Sequence, residues 1–251
     1  MGRPSSKQQD GSVSATLATS AFERLRADIL EGVLAPGEKL RIEALRERYG
    51  VGASPLREAL NRLSALHLVE QIEQRGFRVT LITKAEFIEL AQTRAWVSEI
   101  AIREAIAHGD AAWEEEIVLS HHRLRRYHDE HDRLTPEWER LHRRFHAALI
   151  AACPSHWIRD FHENLFDLAD RVRHLSVREE RGGRDVKGEH QAIMEAVTSR
   201  ETEKAIALLN AHFSRTADMA IRSMASESGG AEAGNLIDLK TVKLRARPPQ
   251  G

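Results

Sequence analysis

Four histidines stand where imidazoles could converge on a metal ion. His142 and His146 are four residues apart in Leu141-His-Arg-Arg-Phe145-His146, so they share one face of a helix. Their neighbours on that face are Trp138, Phe145 and Leu149. His190 lies beside Ile193, Met194 and Val197, and His212 shares a stripe with Leu208, Leu209 and Met219. Each therefore points towards the core of a helical bundle. One core histidine is usually satisfied by a hydrogen bond. Four on the inward stripes of three helices are better explained by a divalent metal, and all-nitrogen donors suit Zn²⁺ or Ni²⁺.

A fifth residue is out of place for a different reason. At about 100° per residue, Arg94 falls at the centre of a stripe made by Phe87, Leu90, Ala91, Val97, Ala101 and Ala105. A guanidinium in a core needs a partner. The partner is either an internal carboxylate or the carboxylate of a bound ligand held by a bidentate contact. His162 shares a face with Phe166, Ala169 and Arg173, which makes His162 and Arg173 further candidates for contact with that ligand. Arg171 falls on a different face. His121, His122, His128 and His131 are interleaved with charges and read as a solvated face. His108, His156 and His174 are isolated.

These residues need a scaffold, and the composition says which kind. The chain has 251 residues, 30% charged and only 5% aromatic. Ala, Leu, Glu and Arg dominate, which favours helices over a β-sandwich. Lys+Arg 37 against Asp+Glu 38 excludes a generally basic nucleic-acid coat and an acidic disordered chain. With Cys153 as the one cysteine, neither an intrachain disulfide nor a cysteine zinc site is possible. No apolar run is long enough for a membrane span, and Met1 to Ser20 lacks the apolar core of a signal peptide, so the chain reads as cytoplasmic. The punctuation predicts a disordered arm over 1–18, a compact domain over 19–82, an all-α domain of about six helices over 84–225, and a flexible tail over 226–251.

In the 19–82 zone, helices are predicted from about Thr19 to Gly32, from Arg41 to Tyr49 and from Pro55 to Leu66. Ser54 is the expected N-cap of the third, with Pro55 as its first helical residue. Two β-prone segments follow, Leu68 to Ile72 and Phe77 to Leu81. The order describes a winged helix-turn-helix, whose third helix would enter the major groove of DNA. Gly52 and Ser54 leave backbone N–H groups for phosphate, Arg57 can fork onto a guanine, and Arg41, Arg75 and Gly76 lie where they could reach the backbone or minor groove. The zone holds 10 Lys/Arg and 9 Asp/Glu, so the acidic groups must face away from DNA. The other reading is a small helical domain that binds protein.

The runs Pro36-Gly-Glu-Lys-Leu40, Tyr49-Gly-Val-Gly-Ala-Ser-Pro-Leu-Arg-Glu-Ala-Leu60 and Arg75-Gly-Phe-Arg-Val79 closely resemble the DNA-binding domain of GntR-type bacterial regulators. Many relatives carry Arg where this chain has Ala53, and Gly where it has His67. A left-handed backbone is better tolerated by His than by most residues. The all-α zone resembles the FCD effector domain of the FadR-type branch. That domain's usual metal pattern is Asp-x-x-x-His plus two later histidines. The resemblance matches His146, His190 and His212 to the histidines and puts His142 at the Asp position. It also matches Arg94 to an arginine common on the first effector helix. The stretches Trp138–Leu149 and Ala169–Ser176 are most similar to the branch of carbon-starvation-induced repressors of glutarate and 4-aminobutyrate catabolism.

The resemblance implies a homodimeric repressor of a catabolic operon that binds double-stranded DNA at a palindromic operator. A small carboxylic acid would be held by the metal and Arg94 and would release the DNA. Two rivals remain. One is a regulator for which the metal itself is the signal. The other is a histidine-ligated metalloenzyme, although four histidines could close the metal shell and no general base stands at a motif-like spacing.

Overall fold

The structure is a computed structural model and describes residues 6–72, 76–131, 135–176 and 184–227. The chain divides between Thr83 and Lys84 into two compact units.

The first unit contains α1 (Ser6–Leu30), β1 (Lys39–Leu40), α2 (Ile42–Tyr49), α3 (Ala53–Ala65), β2 (Val69–Ile72) and β3 (Gly76–Val79). The strands form an antiparallel sheet in the order β1-β3-β2, with Leu40 opposite Phe77 and Val69 opposite Val79. Ala18, Ala21, Leu25 and Ile29 of α1 are fully buried, as are Leu56, Ala59, Leu60 and Leu63 of α3. These two helices pack together. Two expectations are corrected here. The helix begins at Ser6 rather than near Thr19, because residues 6–18 contain no proline and one glycine, so nothing stops a helix from extending outward. The third helix starts two residues earlier than expected. Gly52, at φ −64 and ψ 162, is the N-cap, and Ser54 and Pro55 lie inside the first turn. Proline is tolerated there because first-turn N–H groups have no intrahelical acceptor. His67 adopts φ 59, the left-handed turn that the α3–β2 connection requires.

The described elements of the second unit are all helices: α4 (Lys84–His108), α5 (Ala111–Glu130), α6 (Pro136–Ile150), α7 (His156–Ser176), α8 (Val186–Thr198) and α9 (Thr202–Glu227). Helix α4 packs on α7 and α9, α5 packs on α6 and α8, and α8 packs on α9. The shared core includes Ile102, Ile117, Phe145, Ile193 and Leu209. Sequence signals set the helix starts. The side chains of Asp110, Thr135 and Asp185 accept from Trp113 N, Trp138 N and Gly188 N.

The turn between α4 and α5 depends on an absent side chain. A Cβ on Gly109 would lie 1.9 Å from the Trp113 ring. That ring is buried, and its Nε1 donates to Ala148 O at 2.9 Å. Gly109→Ala is therefore expected to cost roughly 1–3 kcal/mol through overpacking. Thermal denaturation should show a midpoint lower by about 2–4 °C per kcal/mol. A wild-type midpoint would show that the Trp113 ring has room to move.

Candidate functional site

Helix α6 places His142 and His146 on one inward face, α8 supplies His190 and α9 supplies His212. All four are buried. One nitrogen from each lies within 4.8 Å of those of the others. The Nε2 atoms of His142 and His146 are 3.1 Å apart. Two nitrogens bound to one tetrahedral zinc at 2.0–2.1 Å would lie about 3.3 Å apart, so this spacing fits a shared ion. Burial is the main cause that pushes all four imidazoles down from the ordinary histidine range, reinforced by the neighbouring histidines for His142, His146 and His190. His212 falls to about 4, because burial outweighs the hydrogen bond it makes to the Glu189 carboxylate. Neutral imidazole is the form that ligates a metal. His190 Nε2 is buried with no hydrogen-bond partner among the described residues, an orphan that a metal would satisfy. The donor set fits a divalent ion.

A second group, Glu139, His142 and Asp170, also brings its ligand atoms within 4.8 Å. Its place is already filled. Arg173 donates to Asp170 at 2.6 Å and also pairs with Glu139. Arg173, expected beside a ligand carboxylate, lines the cavity that Arg94 also lines, with its charge matched by two internal carboxylates. Burial works against that charge, but Asp170 and Glu139 hold its pKa above the usual value.

Arg94 behaves differently. It is buried, and among the described residues it has no ion pair and its Nε has no hydrogen-bond partner. Its guanidinium lies 3.8 Å from the Phe213 ring centroid and 4.5 Å from that of Phe166. Burial, against the pull of Asp170, pushes its pKa down to about 9. The internal salt bridge allowed by the sequence is not formed among the described residues. Arg94, Trp138, His142, Asp170, Arg184 and His212 line a cavity of about 50 Å³. His162 is buried, and burial with nearby Arg94 lowers its pKa to about 3, but it does not line this cavity. Arg171, placed on another face, is buried as well.

Several residues at the site lie outside the expectations drawn from the sequence. Glu189 Oε2 lies 2.8 Å from His212 Nδ1, and the Glu189 carboxylate also binds Arg184 at 2.6 Å and Arg215 at 2.8 Å. His121 was read as surface but is buried, with its ring 5.6 Å from that of Phe145. It lies on the same face of α5 as buried Ile117 and Leu124, a spacing that could have revealed it. His122 and His131 are exposed, as expected.

In the first unit, Arg41, Gly52, Ser54 and Arg57 are exposed. Arg57 has no ionic partner among the described residues, whereas Arg46, Arg48 and Arg78 pair with Glu43, Asp28 and Glu70. Gly76 has φ 91, which suits glycine at the start of β3. Arg75 lies outside the described residues.

Residues 17–79 match the bacterial regulatory proteins of the gntR family, and residues 89–215 match the FCD domain. The chain belongs to the gntR family. It is 40% identical over 202 residues to the uncharacterized HTH-type transcriptional regulator BphR of Paraburkholderia xenovorans LB400, covering 78% of this chain and 82% of that protein. It is 34% identical over 197 residues to the HTH-type transcriptional repressor GlaR of Escherichia coli K12, covering 76% and 90%. The fold is that of Escherichia coli McbR/YncC, with a TM-score of 0.69 at 18% identity over 84% of this chain and 98% of the other. A putative GntR regulator from Rhodococcus sp. RHA1 scores 0.68 at 21% identity, covering 82% and 97%. This GntR chain is a transcriptional regulator with an FCD domain, and the metalloenzyme reading gives way to that membership. Among the described residues no helix is long and apolar enough to cross a membrane.

Proposed function

We propose that this GntR-family protein is a ligand-responsive repressor of a catabolic operon, of the FadR type, whose bundle holds a divalent metal and a small carboxylic acid. The observation that carries the reading is Arg94. A buried guanidinium outside any ion pair is costly; Asp170 attracts it but is engaged by Arg173, and Arg94 stands on the wall of the cavity that also exposes His142 and His212. A carboxylate entering there would find a bidentate partner at Arg94. The metal, held by His142, His146, His190 and His212, would supply a Lewis-acidic partner for the acid. Aromatic rings flank Arg94 and keep water away from it, which strengthens such a contact.

DNA binding is assigned to the exposed start of α3. Ser54 and Arg57 face solvent and Gly52 opens the helix, so backbone N–H groups meet phosphate while Arg57 reads a base. Arg41 and the wing glycine Gly76 support the docking, together with Arg75. The protein acts as a homodimer on a palindromic operator. In support, α4 and α7 pack together and each exposes an apolar i, i+4 pair, Trp96 with Ile100 and Trp157 with Phe161. The acid releases the DNA because it binds one arrangement of the protein better than the other.

The test combines metal analysis of the purified protein with a thermal-shift series of small carboxylic acids and operator binding by fluorescence anisotropy. A ligand of the folded state raises the melting temperature and should lower operator affinity in the same concentration range. A protein whose melting and operator affinity respond to no acid would overturn the reading. Arg57→Ala is expected to weaken operator binding roughly 5- to 150-fold, the loss of one bidentate base contact, with metal content unchanged. Unaltered operator affinity would rule out this docking. The compact all-histidine cluster also favours a second reading, a metal-responsive regulator. Operator affinity that follows zinc concentration without any acid would select it.

A further inference from the structure

His212, one of the four clustered histidines, meets a carboxylate and a guanidinium at the same ring nitrogen. His212 Nδ1 lies 2.8 Å from Glu189 Oε2 and 3.2 Å from Arg184 Nη2. These two contacts make opposite demands. A carboxylate only accepts, so it requires Nδ1–H. A guanidinium only donates, so it requires a bare Nδ1. With a bare Nδ1, neutral His212 would carry its proton on Nε2 and could not ligate through that nitrogen.

The geometry favours the carboxylate. Its contact is the shorter one, and Arg184 has other acceptors, namely both Glu189 oxygens, Thr216 Oγ1 at 2.9 Å and His212 O at 2.9 Å. Glu189 is itself held still. Arg184 binds it from one side and Arg215 Nε lies 2.8 Å from Oε1. Both guanidinium contacts hold the carboxylate in place as an acceptor for His212 on α9. Helix α8 thus carries a metal ligand at His190 and, one residue earlier, the carboxylate that faces the ligand on α9.

We propose that Glu189 is a positioning residue for the metal centre: it holds His212 in the Nδ1–H tautomer and leaves Nε2 as the ligating nitrogen. The assignment rests on the metal reading of the four histidines. A carboxylate behind a ligating histidine orients the ring and raises its basicity.

The test uses zinc as the probe, with affinity measured by chelator competition on the full-length chain. Glu189→Ala should bind zinc about 10- to 100-fold more weakly than the wild type. Glu189→Gln should recover part of that loss, because its amide oxygen can accept the same Nδ1–H without the negative charge. Melting of the metal-free variants, followed by circular dichroism, separates this from general loss of structure. Histidine ¹⁵N NMR of the metal-free wild type gives a reading that needs no variant, and His212 should appear as the Nδ1–H tautomer. An Nε2–H tautomer, or wild-type zinc affinity in a folded Glu189→Ala protein, would overturn the proposal. If the wild type took up no zinc, the metal centre itself would fail, which is a separate outcome from an intact centre indifferent to Glu189.

Discussion

A protein carrying His142→Ala together with His190→Ala is expected to lose the divalent metal proposed for the four-histidine cluster. The two residues come from different helices, α6 and α8, so the double change removes ligands from two sides of the cluster at once. Structural zinc sites with four ligands contribute about 10–16 kcal/mol. Shared evenly, two ligands account for about 5–8 kcal/mol of that, a fall of at least about a thousandfold in affinity. The metal-free fold should survive the substitution. His142 Nδ1 and His190 Nε2 are buried without hydrogen-bond partners among the described residues, and removing an unsatisfied polar group offsets part of the cavity created. Elemental analysis after dialysis checks this, with circular dichroism as the fold control. Full metal occupancy in the double variant would exclude the four-histidine centre. The response of operator binding to an acid should be blunted in the same protein.

The second large effect concerns Arg94 and has two signs. Arg94→Met replaces a buried guanidinium, which lacks an ionic partner among the described residues, with an apolar chain of similar length. Such replacements of buried charge are often stabilising by about 1–4 kcal/mol. The ligand-free variant should therefore melt higher than the wild type, by about 2–4 °C per kcal/mol. It should also lack the thermal shift that the proposed carboxylic-acid ligand would produce in the wild type. Gain of stability with loss of ligand response is the pattern of a residue kept for function at the expense of the fold. A variant that melts lower and still responds to the acid would show that Arg94 is a structural residue.

Much of the fold was readable because its signals are local. The proline breaks at 135–136 and 153–154 separate helices, and the caps Asp110, Thr135 and Asp185 lie where such residues stabilise helix starts. Where local signals conflict, the sequence reading missed. Ser54-Pro55 resembles a cap followed by a first helical residue, yet Gly52 takes the cap because its extended backbone already supports the turn. Strand β1 has two residues, too few for any alternation to be seen.

The inward faces of His142, His146, His190 and His212 were determined by the sequence alone, through helical periodicity against apolar neighbours. Arg94 was placed in the core by the same argument. Periodicity is a property of one helix, so it could not say which charges meet across helices. Asp170 and Arg173, three apart on α7, are a pair that helical spacing does show. Only the tertiary structure decided that Glu139 also meets Arg173, that Arg94 has no ion pair among the described residues, and that Glu189 stands behind His212. Those relations join residues of α6 and α7, or of α8 and α9, and distance across helices is set by packing, for which a single chain's residue spacing contains no term.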